Sequence, residues 1–303
     1  MIGYENTQDI ITSLANTVDR LIKADGDHQT SIPLLSLHRR SEPSATHCIY
    51  NLGLGIVLRG EKQVVIGDQI LTYCAGQTML TTIDVPVVSH TRNAENHKPF
   101  LGLMLLLDLP MISKIVAQMG QLDIKEKVQP SFAVQPIDYV LIEAIQRLVA
   151  LLDEPVLLSQ LSPIIQQEIM IRLLTGVNGV YLRQLIRAGS VSERIAKVVN
   201  WLKQNFIETI RIDELAEQFY MSSATLRQHF RHVTGMSPLQ YQKQLRLQQA
   251  RYLLFNQHLE VGHAADLVGY ESLSQFSREY ARLFGETPLK DKQTAQFTES
   301  FIS

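Results

Sequence analysis

Cysteine is close to absent from this chain: Cys48 and Cys74 are the two in 303 residues. They share no short spacing, so a disulfide framework, a structural zinc module and a thiol redox pair are excluded as its organising chemistry, and a reducing cytoplasm is the expected setting. Long hydrophobic runs are missing too. The longest, Leu101 to Leu107, stops at Asp108, well short of the ~20 apolar residues that a membrane-spanning helix needs. Met1 to Ile10 holds no basic stretch followed by an apolar one, so neither export nor a membrane partner is expected. Nor does one sign of charge dominate. Lys and Arg total 28 against 30 Asp and Glu, a net charge of −2; a protein that coats nucleic acid by bulk charge is excluded, and any case for DNA rests on where the cations lie. The length suits two globular domains.

What is present changes texture along the chain. Ile10, Ile11, Leu14, Val18, Leu21 and Ile22 are spaced for one amphipathic helix over about residues 9–23. Short β-rich runs follow at Leu34 to Leu37, Gly55 to Leu58, Gln63 to Ile66, Gln69 to Tyr73, Thr78 to Ile83, Val85 to His90 and Phe100 to Leu106, with turn signals at Gly67-Asp68 and Ala75-Gly76-Gln77. So many short strands in about eighty residues predict a small barrel or jelly roll. From Leu109 onward helical periodicity takes over. Ile137, Val140, Leu141, Ala144, Ile145, Leu148, Val149 and Leu152 form an apolar stripe, with Pro136 expected in the helix's first turn. Helices are also expected at Ser162 to Leu174, ended by Gly176, and at Val180 to Ala188, ended by Gly189. The small, polar stretch Ala188 to Ser192 reads as a joint. Ser190 and Glu193 have the spacing of a capping box that opens a second domain, giving 1–189 and 190–303.

In that second domain no Asp or Glu occurs from Gln218 to Leu259, while Arg227, Arg231, Lys243, Arg246 and Arg251 fall inside the window. A helix at Ile212 to Phe219, a turn at Tyr220-Met221-Ser222 and a helix at Ser223 to Val233 make a helix-turn-helix. Leu226 and Phe230, four apart, define its buried face, which leaves Ser223, Ala224, Arg227, Gln228 and Arg231 outward. Arg and Gln are the side chains that read guanine and adenine edges. The pattern recurs about fifty residues on: Phe276 and Tyr280 turn inward, and Ser274, Gln275, Ser277 and Arg278 outward. A long helix from Ser237 to Leu254, with apolar Leu239, Leu245, Leu247, Ala250, Leu253 and Leu254, joins the two units.

Gly235-x-Ser237-Pro238-x-x-Tyr241, Arg246-Leu247-x-x-Ala250-x-x-Leu253-Leu254 and Gly269-Tyr270-x-Ser272-x-x-x-Phe276-Ser277-Arg278 together resemble the AraC family of bacterial transcription regulators. The resemblance covers about residues 192–289. It implies base contacts from Ala224, Arg227, Gln228, Ser274, Gln275 and Arg278, with double-stranded operator DNA as partner and RNA polymerase as a second partner if the protein activates. Leu37-x-Arg39-Arg40-x-Glu42-Pro43, Val57-Leu58-Arg59-Gly60-x-Lys62, Asp84-x-Pro86-Val87 and Glu168-Ile169-x-x-Arg172-Leu173-Leu174-Thr175-Gly176 resemble the N-terminal domain of one subgroup of the family. That implies an α+β chain: a cupin-like β-barrel at about 31–107 with helices at about 109–188, sensing a small molecule, dimerising, or both. Departures are local. Arg211 and Glu260 stand where a small hydroxyl usually caps the first helix of each unit, Gly262 lies inside a helix, and Lys290-Asp291 replaces the usual Tyr-Arg.

Rival readings leave weaker traces. A cupin-type enzyme fused to a DNA-binding domain would need a His-x-His metal pair or a nucleophile with its base; neither occurs, His47, His90 and His97 are scattered, and no metal, cofactor or catalytic residue is expected. A regulator could instead be switched by a protein partner or by thiol modification; the thiol version would use Cys48 as its sensor, yet the neighbouring His47 points to the opposite face of any strand.

Overall fold

The computed structural model describes residues 2–95, 97–119 and 128–293, with side chains from residue 7 on. The chain divides into two compact units, Met1–Ala196 with His232–Gly235, and Lys197–Arg231 with Met236–Ser303.

The first unit is built on two antiparallel sheets. Its strands are β1 (Gly26–Gln29), β2 (Leu35–Arg40), β3 (Ser44–Tyr50), β4 (Gly53–Arg59), β5 (Glu61–Ile66), β6 (Gln69–Cys74), β7 (Gln77–Thr81), β8 (Val85–Arg92), β9 (Phe100–Leu106) and β10 (Phe132–Pro136). They are ordered β1-β2-β9-β4-β7-β10 in one sheet and β3-β8-β5-β6 in the other. The expected strands are all present, and Gly67, with φ of 55°, supplies the left-handed residue of the β5–β6 hairpin. Three strands were not expected: β1, β3 and β10. Each is an edge strand, β10 ends on Pro136, β1 is polar, and β3 mixes Ser44, Thr46 and His47 with apolar residues. Edges escape the two-sided burial that writes an apolar run into the sequence.

Helices cover the outer face of the six-stranded sheet. Helix α1 (Ile2–Leu21) contributes Ile11, Leu14 and Val18, and α3 (Tyr139–Ala150) contributes Leu141, Ile142, Ile145, Leu148 and Val149. They pack into one core with Leu35, Leu37, Leu54, Ile56, Leu101, Leu103 and Leu105 from β2, β4 and β9. Each such side chain, fully removed from water, contributes about 1.5–3 kcal/mol before chain entropy is counted. The α3 stripe thus packs on its own domain, except for Val140, which is 38% exposed. Pro136 belongs to β10 rather than to the first turn of α3, which Asp138 caps by accepting the Val140 N–H at 2.8 Å. Two further helices, α2 (Leu109–Met119) and α5 (Gly179–Ile186), flank α4 (Pro155–Thr175), which starts seven residues before the expected Ser162 and runs through Pro163. Ser162-Pro163 looks like a helix start, but Pro155 takes the first-turn position and Leu158, packed on the core, anchors the added turns.

The second unit is helical. Ser190 accepts the Glu193 N–H at 3.0 Å and opens α6 (Val191–Gln204). Then come α7 (Ile212–Gln218), α8 (Ser223–Thr234), α9 (Pro238–Asn256), α10 (Val261–Leu267) and α11 (Leu273–Phe284). A full capping box at Ser237 and Gln240 starts α9. Its Leu245, Leu247, Ala250, Leu253 and Leu254 are buried as expected, whereas Leu239 is 50% exposed.

Candidate nucleic-acid interface and barrel cavity

Helices α7 and α8 make the first helix-turn-helix. Leu215 and Ala216 of α7 are buried, and the chain leaves it through Tyr220 at φ of 56°. Ser222 then accepts the Thr225 N–H at 3.1 Å and starts α8. Leu226 and Phe230 are 0% exposed, and Phe230 meets Tyr241 of α9 edge-on at 5.6 Å. That anchoring fixes the rotation of α8, so Ala224, Arg227, Gln228 and Arg231 are exposed. Ser223 is half-buried, its hydroxyl donating to Asp213 of α7. No side chain caps α7 at Arg211, which pairs instead with Glu214 at 3.2 Å.

Helices α10 and α11 repeat the arrangement. Phe276 and Tyr280 are 0% exposed and pack with Tyr270, Leu247 and Leu254. Ser274, Gln275 and Arg278 are exposed, and Ser277 is half-buried. Ser272 caps α11 through the Gln275 N–H at 3.3 Å, and Gln275 donates to Glu279 at 3.3 Å. Glu260 leaves α10 without a side-chain cap, and Gly262 sits in open space inside it. Gly269 at the turn has φ of 82°, and a Cβ there would stand 2.6 Å from the Ile207 carbonyl oxygen, so this turn requires glycine. Among the described residues neither Arg227 nor Arg278 has an ion-pair or hydrogen-bond partner.

The basic window does not survive intact as a basic surface. Lys243 pairs with Glu279 at 2.8 Å and Arg251 with Asp291 at 3.1 Å. Arg246 donates to the carbonyls of Phe206 (2.6 Å), Ile207 (2.8 Å), Glu208 (3.1 Å) and Gly269 (2.8 Å). Three of the five cations therefore hold the domain together, a role the window alone could not show. Asp291 also accepts the Tyr280 hydroxyl at 2.8 Å, so the position that departs from the family pattern is structural here.

In the first unit, a cavity of about 290 Å³ lies between the two sheets. Residues from β1 to β6, β8 and β9 line it, among them Asp27, His38, Lys62, Tyr73 and Phe100. Cys48 lines it too, and burial pushes its thiol up to about 11. A thiol held there is protonated at neutral pH and a poor nucleophile. We expect Cys48→Ser to leave induction in cells unchanged, and iodoacetamide to label Cys48 far more slowly than the exposed Cys74. Loss of induction in the variant together with rapid labelling of Cys48 in the native chain would restore the thiol switch. Among the described residues no three His, Cys, Asp or Glu side chains gather as a metal site, and no helix is long and apolar enough to cross a membrane.

Two helix-turn-helix units joined by one helix, following in sequence a sheet domain with an internal cavity, define a DNA-binding transcription regulator. Comparison with known proteins agrees. Residues 31–181 match the AraC-type transcriptional regulator N-terminus and residues 215–293 a helix-turn-helix domain. Over 158 residues the chain is 28% identical to the transcriptional activator RhaS of Escherichia fergusonii, spanning 52% of this chain and 56% of RhaS. Over 197 residues it is 26% identical to the thermoregulatory protein LcrF of Yersinia pestis, spanning 65% of this chain and 71% of LcrF. The chain thus spans only about half the length of the first of these relatives. Its fold resembles that of apo ToxT from Vibrio cholerae, with a TM-score of 0.57 at 10% identity over 87% of this chain and 98% of that one. The chain belongs to the AraC family of transcription regulators.

Proposed function

We propose that this protein is a transcription activator that reads two successive major grooves of its operator through α8 and α11 and answers to a small molecule held in the barrel. In this reading residues 190–303 bind DNA and residues 1–189 sense and dimerise. Ser223, Ala224, Arg227, Gln228 and Arg231 face one groove, and Ser274, Gln275, Ser277 and Arg278 the next. One observation carries the DNA reading: both second helices expose the same kind of polar set, each with an arginine that no described residue engages. Helix α9, at ~1.5 Å per residue, extends roughly 28 Å, close to the ~34 Å between successive grooves. Activation is carried over from RhaS, a transcriptional activator, and RNA polymerase is the partner through which an activator acts.

The test is selection of genomic fragments by the purified full-length protein at moderate salt. A motif spanning two adjacent major grooves is expected. If neither the full-length protein nor folded 190–303 enriches a motif, the reading fails.

The reading includes a homodimer through α4. This helix is apolar on two sides: Ile165, Ile169 and Leu173 face the core, while Val156 (86% exposed), Leu157 (43%), Leu161 (36%), Ile164 (63%) and Ile171 (40%) face away. Leu157, Leu161, Ile164 and Ile171 keep to the steps of three, four and seven of a two-helix seam, and a second copy supplies the matching face. Sedimentation is expected to give a dimer for the native chain and a folded monomer for Ile164→Glu. A native monomer at about 50 μM, a concentration where even weak specific dimers populate, would rule the seam out.

A further inference from the structure

We propose that the barrel cavity takes a small organic acid, whose carboxylate pairs with Lys62 while its apolar body lies against Phe100, Met104 and Leu106. This rests on the reading of the cavity as the effector site.

The placement of Lys62 begins the argument. Strand β5 alternates, and Lys62 shares a face with Val64 and Ile66, both 0% exposed. A lysine on the core face of a strand is rare unless its charge is met. Among the described residues no carboxylate meets it. Its ammonium lies 5.3 Å from the centre of the Tyr50 ring and 5.9 Å from that of Phe100. Lys62 is half-buried; the rings hold a cation weakly, and no described residue accepts a hydrogen bond from its ammonium.

The rest of the lining agrees in sign. Asp27, the cavity's carboxylate, already accepts from His38 Nδ1 and from Arg40, each at 2.6 Å. The His38 hydrogen bond and the Arg40 guanidinium hold it well below the usual carboxylate range, so it stays ionised and engaged. With Asp27 and Arg40 offsetting each other, Lys62 leaves the cavity one positive charge in surplus. Burial pushes the Tyr50 and Tyr73 phenols well above their ordinary value, so both remain protonated donors. A cationic ligand would meet Lys62 and no free carboxylate. A neutral polyol would leave the ammonium unpaired. An anion with an apolar body satisfies both ends.

Size narrows the class. A cavity of about 290 Å³ lies at the lower end of the ~300–1,000 Å³ of small-molecule sites, which suits an aromatic or medium-chain acid. Gly55 and Gly102 keep that room: a Cβ would come within 3.3 Å of the Tyr73 hydroxyl at the first and 3.1 Å of the Phe100 ring at the second.

The experiment is calorimetric titration of the full-length protein with sodium benzoate, hexanoate and octanoate, each beside its uncharged primary amide. At least one acid is expected to bind about tenfold or more tightly than its amide, the share of a charge-assisted contact. Lys62→Met should lose that margin and Lys62→Arg keep it. Amides binding as tightly as acids, no acid binding, or an unchanged margin in Lys62→Met would each overturn the proposal. The acid–amide comparison on the native chain decides it even if Lys62→Met fails to fold. The underlying reading is tested separately: Met104→Trp fills the cavity without altering Lys62, and a cellular reporter that still responds normally to its inducer in that variant would remove the effector from the cavity altogether.

Discussion

Arg227→Ala and Arg278→Ala are each expected to weaken binding to the selected operator by about 1–3 kcal/mol and to relax sequence preference at one base position, in opposite halves of the site. Both side chains are exposed on the outward faces of α8 and α11, and Phe230 and Phe276 fix those faces by packing the opposite sides. Neither arginine has a partner among the described residues, so truncation removes a contact to DNA without orphaning a group inside the protein. Competition binding against operators mutated one position at a time checks this. A uniform loss on every sequence, with the slope of log affinity against log salt reduced by about one, would make them phosphate contacts. Because the sites lie on separate units, the two effects should add in the double variant to within about 0.5 kcal/mol.

Arg246→Met is expected to lower the stability of the DNA-binding unit by about 1–3 kcal/mol, a larger effect than truncation of either exposed arginine has on the fold. Its guanidinium satisfies the carbonyls of Phe206, Ile207, Glu208 and Gly269. Gln242 also donates to the Phe206 and Glu208 carbonyls, at 2.9 and 2.6 Å, so removing Arg246 leaves the Ile207 and Gly269 carbonyls without their donor, at about 1–3 kcal/mol for an acceptor that water cannot reach. Arg246→Lys should recover little, because one ammonium cannot span four acceptors that a planar fork reaches. Trp201, the single tryptophan, lies on α6 in the same unit, so its fluorescence during urea unfolding reports on this unit locally. An unchanged midpoint together with weaker DNA binding would reassign Arg246 to the interface.

The contrast between these arginines marks the limit of reading charge along a chain. Arg227 and Arg246 stand in the same acid-free window, and nothing in the window separates them. The carboxylates that neutralise Lys243 and Arg251 are Glu279 and Asp291, both beyond Leu259, and the carbonyls that Arg246 holds come from positions 206–208 and 269. The helix-turn-helix units were legible because Leu226 with Phe230 and Phe276 with Tyr280 keep the four-residue step that one buried helix face demands, and because turn residues punctuate them. The central strands β4, β5, β7, β8 and β9 were legible as apolar runs or alternations. Edge strands β1, β3 and β10 were not, since a strand with a partner on one side only carries a weaker apolar pattern; the edge strand β6 was legible through its hairpin turn at Gly67-Asp68.

The sequence by itself determined that this protein has a two-unit DNA-binding module and a sheet domain ahead of it, because local periodicity and turn chemistry fix helices, strands and the face that each buries. The cavity and its surplus cation were decided only by the tertiary structure. Lys62 stands in sequence just ahead of the strand expected at Gln63 to Ile66, and it becomes a candidate anion site when strand pairing and the packing of the two sheets bring Tyr50, Tyr73 and Phe100 around it and tie Asp27 to His38 and Arg40. The physical reason is range. Helix and strand periods act over a few residues, whereas the pairing of charges and the shape of a void depend on groups that only folding makes neighbours.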